Sequence, residues 1–372
     1  MEPRTGKATA EIFEQIILRR LGAPDPDILV GPKYGVDVGV VRVADGIAMA
    51  LTTDPVFVVP AYGWARAAWF AVHILASDAA TSGLPLRWMT VDLNLPPEIS
   101  DQELTSLWGG FHQACEDLGI AVVTGHTARY DGCAYPMVGG ATCVALGRDD
   151  SFVTPDMARA GDKIVVTKGA AIEATALFAA TFPSRLTDAL GPEVVRAADA
   201  LFEQMTVVPE ARVAAAFGLR EHGVTSMHDA TEGGVLGGVL EVAVASGTGM
   251  RLDLGAISVR PEVRAVCDHV GIDPLISISE GTLIATVVPS RAEDYVGALA
   301  AEGIPASIVG EVTRPEEGRI LVTDEGDLPL VHPGVDPFWE AFGAWAAAGD
   351  SAGQRTYSVA YDDIAIDSSP IP

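Results

Sequence analysis

The chain has 372 residues, of which 49% are apolar, and 50 acidic against 24 basic residues give it a formal net charge of −26. This length suggests two or three compact units with ample material for a core. So acidic a chain would be repelled by a phosphate backbone, which argues against nucleic acid as a partner, and no apolar run of ~18 residues is flanked as a membrane span would be.

The start, Met1 to Lys7, lacks the apolar segment of a signal peptide, so a soluble cytoplasmic protein is expected. Cys115, Cys133, Cys143 and Cys267 are scattered without a paired pattern, which supports neither zinc nor a disulfide framework. Apolar Ile12, Ile16, Ile17 and Leu21 recur at helical spacing and predict an amphipathic helix over 8–21, ended by Pro-Asp-Pro-Asp at 24–27. Lysine is scarce: Lys7, Lys33, Lys163 and Lys168. Lys33 and Lys168 therefore stand out, each beside glycines in uncharged surroundings.

The segment Gly31-Pro32-Lys33-Tyr34-Gly35-Val36-Asp37-Val38-Gly39 leads into strand-like runs at 36–43 and 47–53. A glycine-rich loop entering a strand lets backbone N–H groups approach phosphate, and a nearby lysine adds a point charge; an ordinary turn explains the same residues equally well. The second run ends in Thr52-Thr53-Asp54-Pro55, where an acid at a strand's end suits magnesium but also suits a turn cap. A nearly charge-free helix from about Trp64 to Ser82 carries Asp78 close to its end, stopped by Gly83 and Pro85. Burying a carboxylate there is costly unless a cation or several donors meet it, so Asp37, Asp54 and Asp78 together suggest one metal–phosphate site.

A strand is expected at 88–95, a helix at 101–118, and strands at 121–124 and 137–146, giving an α/β unit with a mixed sheet. Gly125, His126 and Thr127 follow the strand at 121–124, so His126 could contact a phosphoryl group or move a proton, although a lone histidine is more often structural. A connection at 147–161 leads into a second α/β unit. There a strand at 163–167 feeds Thr167-Lys168-Gly169 into a helix from about Ala170; Glu173, one turn in, is either functional or a first-turn acid complementing the helix dipole. Helices follow through 191–219. A strand at 224–227 then leads through His228-Asp229-Ala230-Thr231-Glu232-Gly233-Gly234 into a helix at 235–246, the order that presents a helix N-terminus to an anion. Asp229 or Thr231 as a simple N-cap is the alternative. Later strands are expected at 250–254, 283–288, 306–312 and 320–322, and the polar stretch from about Gly349 reads as an extension or tail.

In this order, from about Lys33 to Val322, the segments resemble the aminoimidazole ribonucleotide synthetase superfamily. It also holds thiamine monophosphate kinase, selenophosphate synthetase and the hydrogenase-maturation carbamoyl dehydratase. Gly35-Val36-Asp37-Val38-Gly39 is similar to its Gly-Asp-Asp-Ala-Ala segment, Thr52-Thr53-Asp54 to its Thr-Thr-Asp, and 76–85 to its Ser-Asp-Ile-Ala helix end. Likewise 123–127 resembles Gly-Gly-Glu-Thr or Gly-Asp-Thr, 228–234 resembles His-Asp-Pro-Thr-Arg-Gly-Gly, and Glu280-Gly281-Thr282-Leu283 its late Glu-Gly-Thr-Leu.

The resemblance implies an α/β (α+β) two-domain fold: an N-terminal mixed sheet forming a barrel across a homodimer, and a C-terminal α/β sandwich domain. It divides the chain into an arm (1–30), an ATP-binding and dimerisation domain (31–150), a substrate-side domain (160–325) and an extension (326–372). It also implies ATP and Mg²⁺, with Asp37, Asp54 and Asp78 as metal ligands and Lys33 and Lys168 as phosphate contacts. Lys33, Asp78, His126 and His228 become catalytic candidates, and Gly35, Thr53, Gly125, Thr127, Asp229 and Thr231 nucleotide contacts.

Departures narrow the choice. His126 replaces an expected Asp or Glu, Arg129 replaces an acid of the cyclo-ligase, Val36 breaks the kinase's paired aspartates, and the end Ser368-Ser369-Pro370-Ile371-Pro372 lacks the dehydratase's terminal cysteine. The expected activity is phosphorylation of an amide, carbonyl or phosphate oxygen of a small molecule, with cyclisation, dehydration or amination to follow. A non-catalytic nucleotide-binding or maturation-partner protein, or a simple small-molecule kinase, is the alternative.

Overall fold

Two sheets organise the chain in a computed structural model that describes residues 10–332 and 334–348. The first half contains α1 (Ala10–Ile12), continued by a π-helical turn Phe13–Ile17, then β1 (Ile28–Val30), β2 (Gly39–Ala44), β3 (Ile47–Phe57), α2 (Trp64–Ala80), β4 (Leu86–Leu95), α3 (Asp101–Leu118), β5 (Ala121–Arg129) and β6 (Met137–Arg148). These strands form a six-stranded mixed sheet ordered β1-β2-β3-β6-β4-β5, antiparallel except for the β4–β5 pair. Period-2 alternation sorts its faces: Ala48, Ala50 and Thr52 of β3 are buried toward the helices while Thr53 is exposed on the other side. The long apolar α2 lies on the covered face together with α3, whose start is fixed by a reciprocal Ser100–Glu103 capping box.

The second half contains β7 (Lys163–Thr167), α4 (Ile172–Thr181), α5 (Pro183–Leu190), α6 (Pro192–Asp199), α7 (Val208–Phe217), β8 (Val224–Asp229), α8 (Gly234–Ser246), β9 (Gly249–Asp253), α9 (Pro261–Val270), β10 (Leu283–Val287), α10 (Ala292–Ala301), β11 (Ala306–Thr313), β12 (Arg319–Thr323), β13 (Gly326–Pro329) and α11 (Pro337–Ala348). Its seven-stranded sheet runs β13-β12-β9-β11-β7-β10-β8, with β9–β12 the parallel pair. One apolar core joins the halves: Leu93 and Phe111 share it with Val207, Met227, Leu283 and Tyr295. Helix α2 is also stitched across, since Ser77 Oγ accepts the Val207 N–H at 3.0 Å and His73 Nδ1 lies 2.9 Å from Thr206 Oγ1.

Several expectations are corrected. The predicted N-terminal helix is described only as α1 and its π-helical turn, with Ile12, Ile16, Ile17 and Leu21 exposed, so its periodicity serves no core among the described residues. Strand β3 does not stop at Thr53, because pairing with β6 carries it through Asp54 and Pro55 to Phe57. Strand β5 likewise runs on through Gly125, His126 and Thr127, held by β4. Within the expected extension, β13 pairs with β12, and Phe338, Phe342 and Trp345 of α11 pack on Phe178, with Arg185 3.8 Å over the Trp345 ring. The expected tail from Gly349 and the start at Met1 to Lys7 lie outside the described residues. Among those described, no helix is long and apolar enough to cross a membrane.

Candidate active site

Three adjacent strands of the second sheet deliver carboxylates to one edge. Strands β7, β10 and β8 lie side by side and antiparallel, so the ends of β7 and β8 meet the start of β10. Asp229 ends β8, Glu280 stands just before β10, and Glu173 sits in the first turn of α4, shortly after β7. Loop and helix are sewn together here: the Glu280 N–H donates to Glu173 Oε2 at 3.0 Å and the Gly281 N–H to Glu280 Oε1 at 3.1 Å. From the first domain, the end of α2 brings Asp78, β3 brings Asp54, and the loop before β2 brings Asp37. All three are partly exposed, whereas Asp229 and Glu280 are buried.

These acids lie close enough to act on one another. Burial holds the Asp78 carboxyl well above the usual range, and Asp229, Asp37, Asp54 and Glu280 push it the same way. Thr52 donates to Asp78 Oδ2 at 3.0 Å from the neighbouring strand. Glu280 is raised by burial and then by Asp229 and Glu173. Burial pushes Glu173 up to about 8, against the N–H bond from Glu280, with Asp336, Glu232 and Asp229 adding to the rise. Like charges crowded at low dielectric cannot all ionise without counter-cations. Asp37, Asp54 and Asp78 nevertheless do not close into one compact shell. The described residues with ligand atoms within 4.8 Å of one another are Asp37, His228 and Asp229.

His228, a catalytic candidate from the sequence, is placed as a clamp. Its Nδ1 lies 2.9 Å from Asp37 Oδ2 in a close ionic contact, and its Nε2 lies 2.9 Å from Glu241 Oε2 on α8. Burial alone would lower its pKa, but Asp37 and Glu241 outweigh that and raise it to about 10. With a carboxylate at each nitrogen the ring is held in place between the Asp37 loop and α8. It also ties the Asp37 loop to the second domain. Gly35 lets that loop approach α8: at φ 75° a Cβ would stand 2.7 Å from the Glu241 carbonyl oxygen.

Lys168 overturns its predicted role as a phosphate contact. Its ammonium is buried among the carbonyl oxygens of Gln204, Thr206 and Gly281 at 3.0, 2.6 and 2.9 Å and pairs with Glu210 at 2.6 Å. Such a cation is committed to holding the chain together. Lys33 is exposed, with its Nζ 3.2 Å from Asp156, and so can move. Helix α8 is N-capped by left-handed Gly233, whose N–H goes to Asp336 Oδ2 at 2.8 Å, so neither Asp229 nor Thr231 caps it.

The remaining predicted residues form a second group. Thr53, Gly125 and His126 line a concavity of about 470 Å³ on the open face of the first sheet, with Asp92 beside His126 in the β4–β5 register. Within the chain they face away from the acidic cleft, because Thr53 points opposite to Thr52 and its partner Asp78. His126 Nε2 lies 3.0 Å from Tyr130 Oη, and Thr127 is exposed on the same edge strand. Arg129 is occupied by Asp101 and the Ile99 carbonyl. Glu241 and Asp336 were missed, although Glu241 carried the signal that exposed Asp78, a single acid in an otherwise apolar helix.

Two α/β sheets with carboxylates from both halves meeting in one cleft define a two-domain synthetase-like fold. The chain belongs to the AIR synthase related family: the N-terminal domain model of that family matches residues 35–148 and the C-terminal domain model residues 159–323. It is similar to the carbamoyl dehydratase HypE of Rhizobium leguminosarum bv. viciae, 26% identical over 88% of this chain and 89% of that one. It is also similar to the selenide, water dikinase of Pelobacter propionicus, 28% identical over 80% and 89%. Among solved structures, AaThiL complexed with AMPPCP and TMP matches with a TM-score of 0.64 at 19% identity, over 86% of this chain and 96% of that one. HypE in complex with ATP matches with 0.57 at 20%, over 90% and 97%. The relatives named are enzymes, and the chain is a member of an enzyme family.

Proposed function

We propose that the protein is an ATP- and Mg²⁺-dependent enzyme that phosphorylates an oxygen of a small molecule, most simply an amide or carboxamide. The acceptor oxygen attacks the terminal phosphorus, the bond to the β–γ bridging oxygen breaks, and ADP departs with that electron pair. The phosphate then leaves during cyclisation, dehydration or amination. The observation supporting this reading is the proximity of Asp37, Asp54, Asp229 and Glu280 to Asp78, whose carboxyl they all push upward. The nucleotides in the related AaThiL and HypE structures support it.

The donor set fits magnesium, which prefers oxygen ligands and keeps several waters, so carboxylates spread wider than a direct shell still suit it. Asp37, Asp54, Asp78 and Asp229 would hold it, and it would supply neutralisation of phosphate charge. Lys33 adds a mobile cation from the glycine-rich loop. The open face of the first sheet, with exposed Trp88 and the exposed edge strand β5 beside it, is read as the homodimer surface. Its pairing would bring the Thr53–His126 group of each copy against the other. Binding without turnover is the second reading, favoured by His126 standing where the resemblance expects an acid.

Asp78→Asn tests the assignment. ADP release, screened over candidate amides with Mg²⁺ and ATP, should fall roughly a hundredfold or more while the fold persists. Undiminished turnover in that variant would remove Asp78 from the metal site, and AMPPCP binding without any ADP release in the native chain would favour the second reading.

A further inference from the structure

A cavity of about 830 Å³ opens between α7 and α10, and none of the acids described above lines it. The two helices touch where the Phe217 and Tyr295 rings stand 5.3 Å apart. Beyond that contact the lining is short: Val213 and Ala216 on α7 face Ala298 and Ala301 on α10. Side chains of this size cannot fill the space between the helices, so the walls are apolar and open. Four charged side chains complete the lining, and two of them are met within the chain, Lys168 by Glu210 at 2.6 Å and Glu203 by Arg66 at 3.0 Å. The other two are not. Arg212 gives one N–H to the Leu118 carbonyl at 3.0 Å and meets no carboxylate among the described residues. Glu302, which follows the last turn of α10, has no ion pair or side-chain hydrogen bond among them.

One unmatched cation and one unmatched anion on an apolar cavity say what fits. A ligand with only a negative head would meet Glu302, and one with only a positive head would meet Arg212. A molecule carrying both charges on an apolar body satisfies the two side chains and covers the walls. We propose that the cavity is a second ligand site, separate from the acids between the sheets, and takes a small zwitterion. Its carboxylate pairs with the Arg212 guanidinium, its ammonium with Glu302, and its hydrocarbon or aromatic group lies between α7 and α10. The floor links this site to the rest of the molecule. Lys168 lines the cavity at 8% exposure, while its ammonium holds the Gly281 carbonyl at 2.9 Å, next to Glu280. An occupant therefore lies one side chain away from the loop that carries Glu280.

Calorimetric titration of the full chain with L-phenylalanine, 3-phenylpropionate and phenethylamine tests this, since the second lacks only the ammonium and the third only the carboxylate. L-Phenylalanine should bind saturably, and each of the other two more weakly by roughly fivefold or more. Arg212→Gln should weaken L-phenylalanine and 3-phenylpropionate and leave phenethylamine unchanged. Glu302→Gln should weaken L-phenylalanine and phenethylamine and leave 3-phenylpropionate unchanged. Should Arg212→Gln fail to fold, Glu302→Gln, whose side chain holds nothing within the chain, carries the same test. No saturable binding, equal affinity for the three compounds, or undiminished L-phenylalanine affinity in the folded variants would each overturn the proposal. So would loss of L-phenylalanine binding when AMPPCP and Mg²⁺ saturate the chain, by placing the ligand among the acids between the sheets.

Discussion

Glu173 holds a proton at neutral pH in the ligand-free protein, because burial raises its carboxyl to about 8 with Asp336, Glu232 and Asp229 adding to the effect. The unfolded chain gives up that proton near 4.3, so between these values the folded state binds more protons. The resulting stability is fully present below the unfolded value and is lost as pH rises through about 8. Glu173→Gln removes the titration. Urea midpoints at pH 5 and pH 8.5 should show the variant gaining a few kcal/mol on the native chain at the higher pH, with little difference at the lower. Parallel pH profiles would refute the shift. The same scale shows what the sequence could and could not tell. Asp78 and Lys168 announced themselves as lone charges in apolar surroundings, and Glu241 carried the same signal unread. Sequence position alone did not say which charge is met inside the protein, as Lys168 is by Glu210 and Glu241 by His228, and which is left facing a cleft, as Asp78 is.

Elements were legible wherever period and caps agreed. Helix α3 coincides with its prediction because Ser100 and Glu103 cap its start and left-handed Gly119 ends it. Strand ends were not legible, because β3 and β5 are prolonged by pairing with β6 and β4 rather than by their own residues. The expected strand end at 124 left His126 just beyond it, whereas β5 carries it on and places it with Thr53 along the open face. The Asp37 loop is the element most sensitive to a small change. Gly35→Ala puts a methyl against the Glu241 backbone at a left-handed position and should cost ~1–3 kcal/mol. Lifting the loop off α8 also loosens the Asp37–His228 contact, so AMPPCP affinity should fall together with the urea midpoint. A variant of native stability and affinity would show that the loop need not lie where it does.

For the molecule as a whole, the first sheet buries one face under α2 and α3 and leaves the other open. Thr53, Thr142, Thr90 and Thr124 lie in one row across four strands of that face, and β5 is an edge strand exposed along most of its length. An edge carrying Val122 and Val123 is a surface that a second copy would cover. Sedimentation should find a dimer for the native chain and a folded monomer for Thr90→Arg, which sets a bulky cation in the middle of the row; dimers of undiminished stability in that variant would move the interface elsewhere. The grouping of the acids was not legible in the sequence, since they come from six separate segments.

The acids between the two sheets should admit a nucleotide only with a divalent cation. Calorimetric titration with AMPPCP should give saturable binding in Mg²⁺ and binding weaker by roughly tenfold or more in EDTA, because bare phosphates meet uncompensated carboxylates. Equal affinity in the two buffers, or none in either, would contradict it.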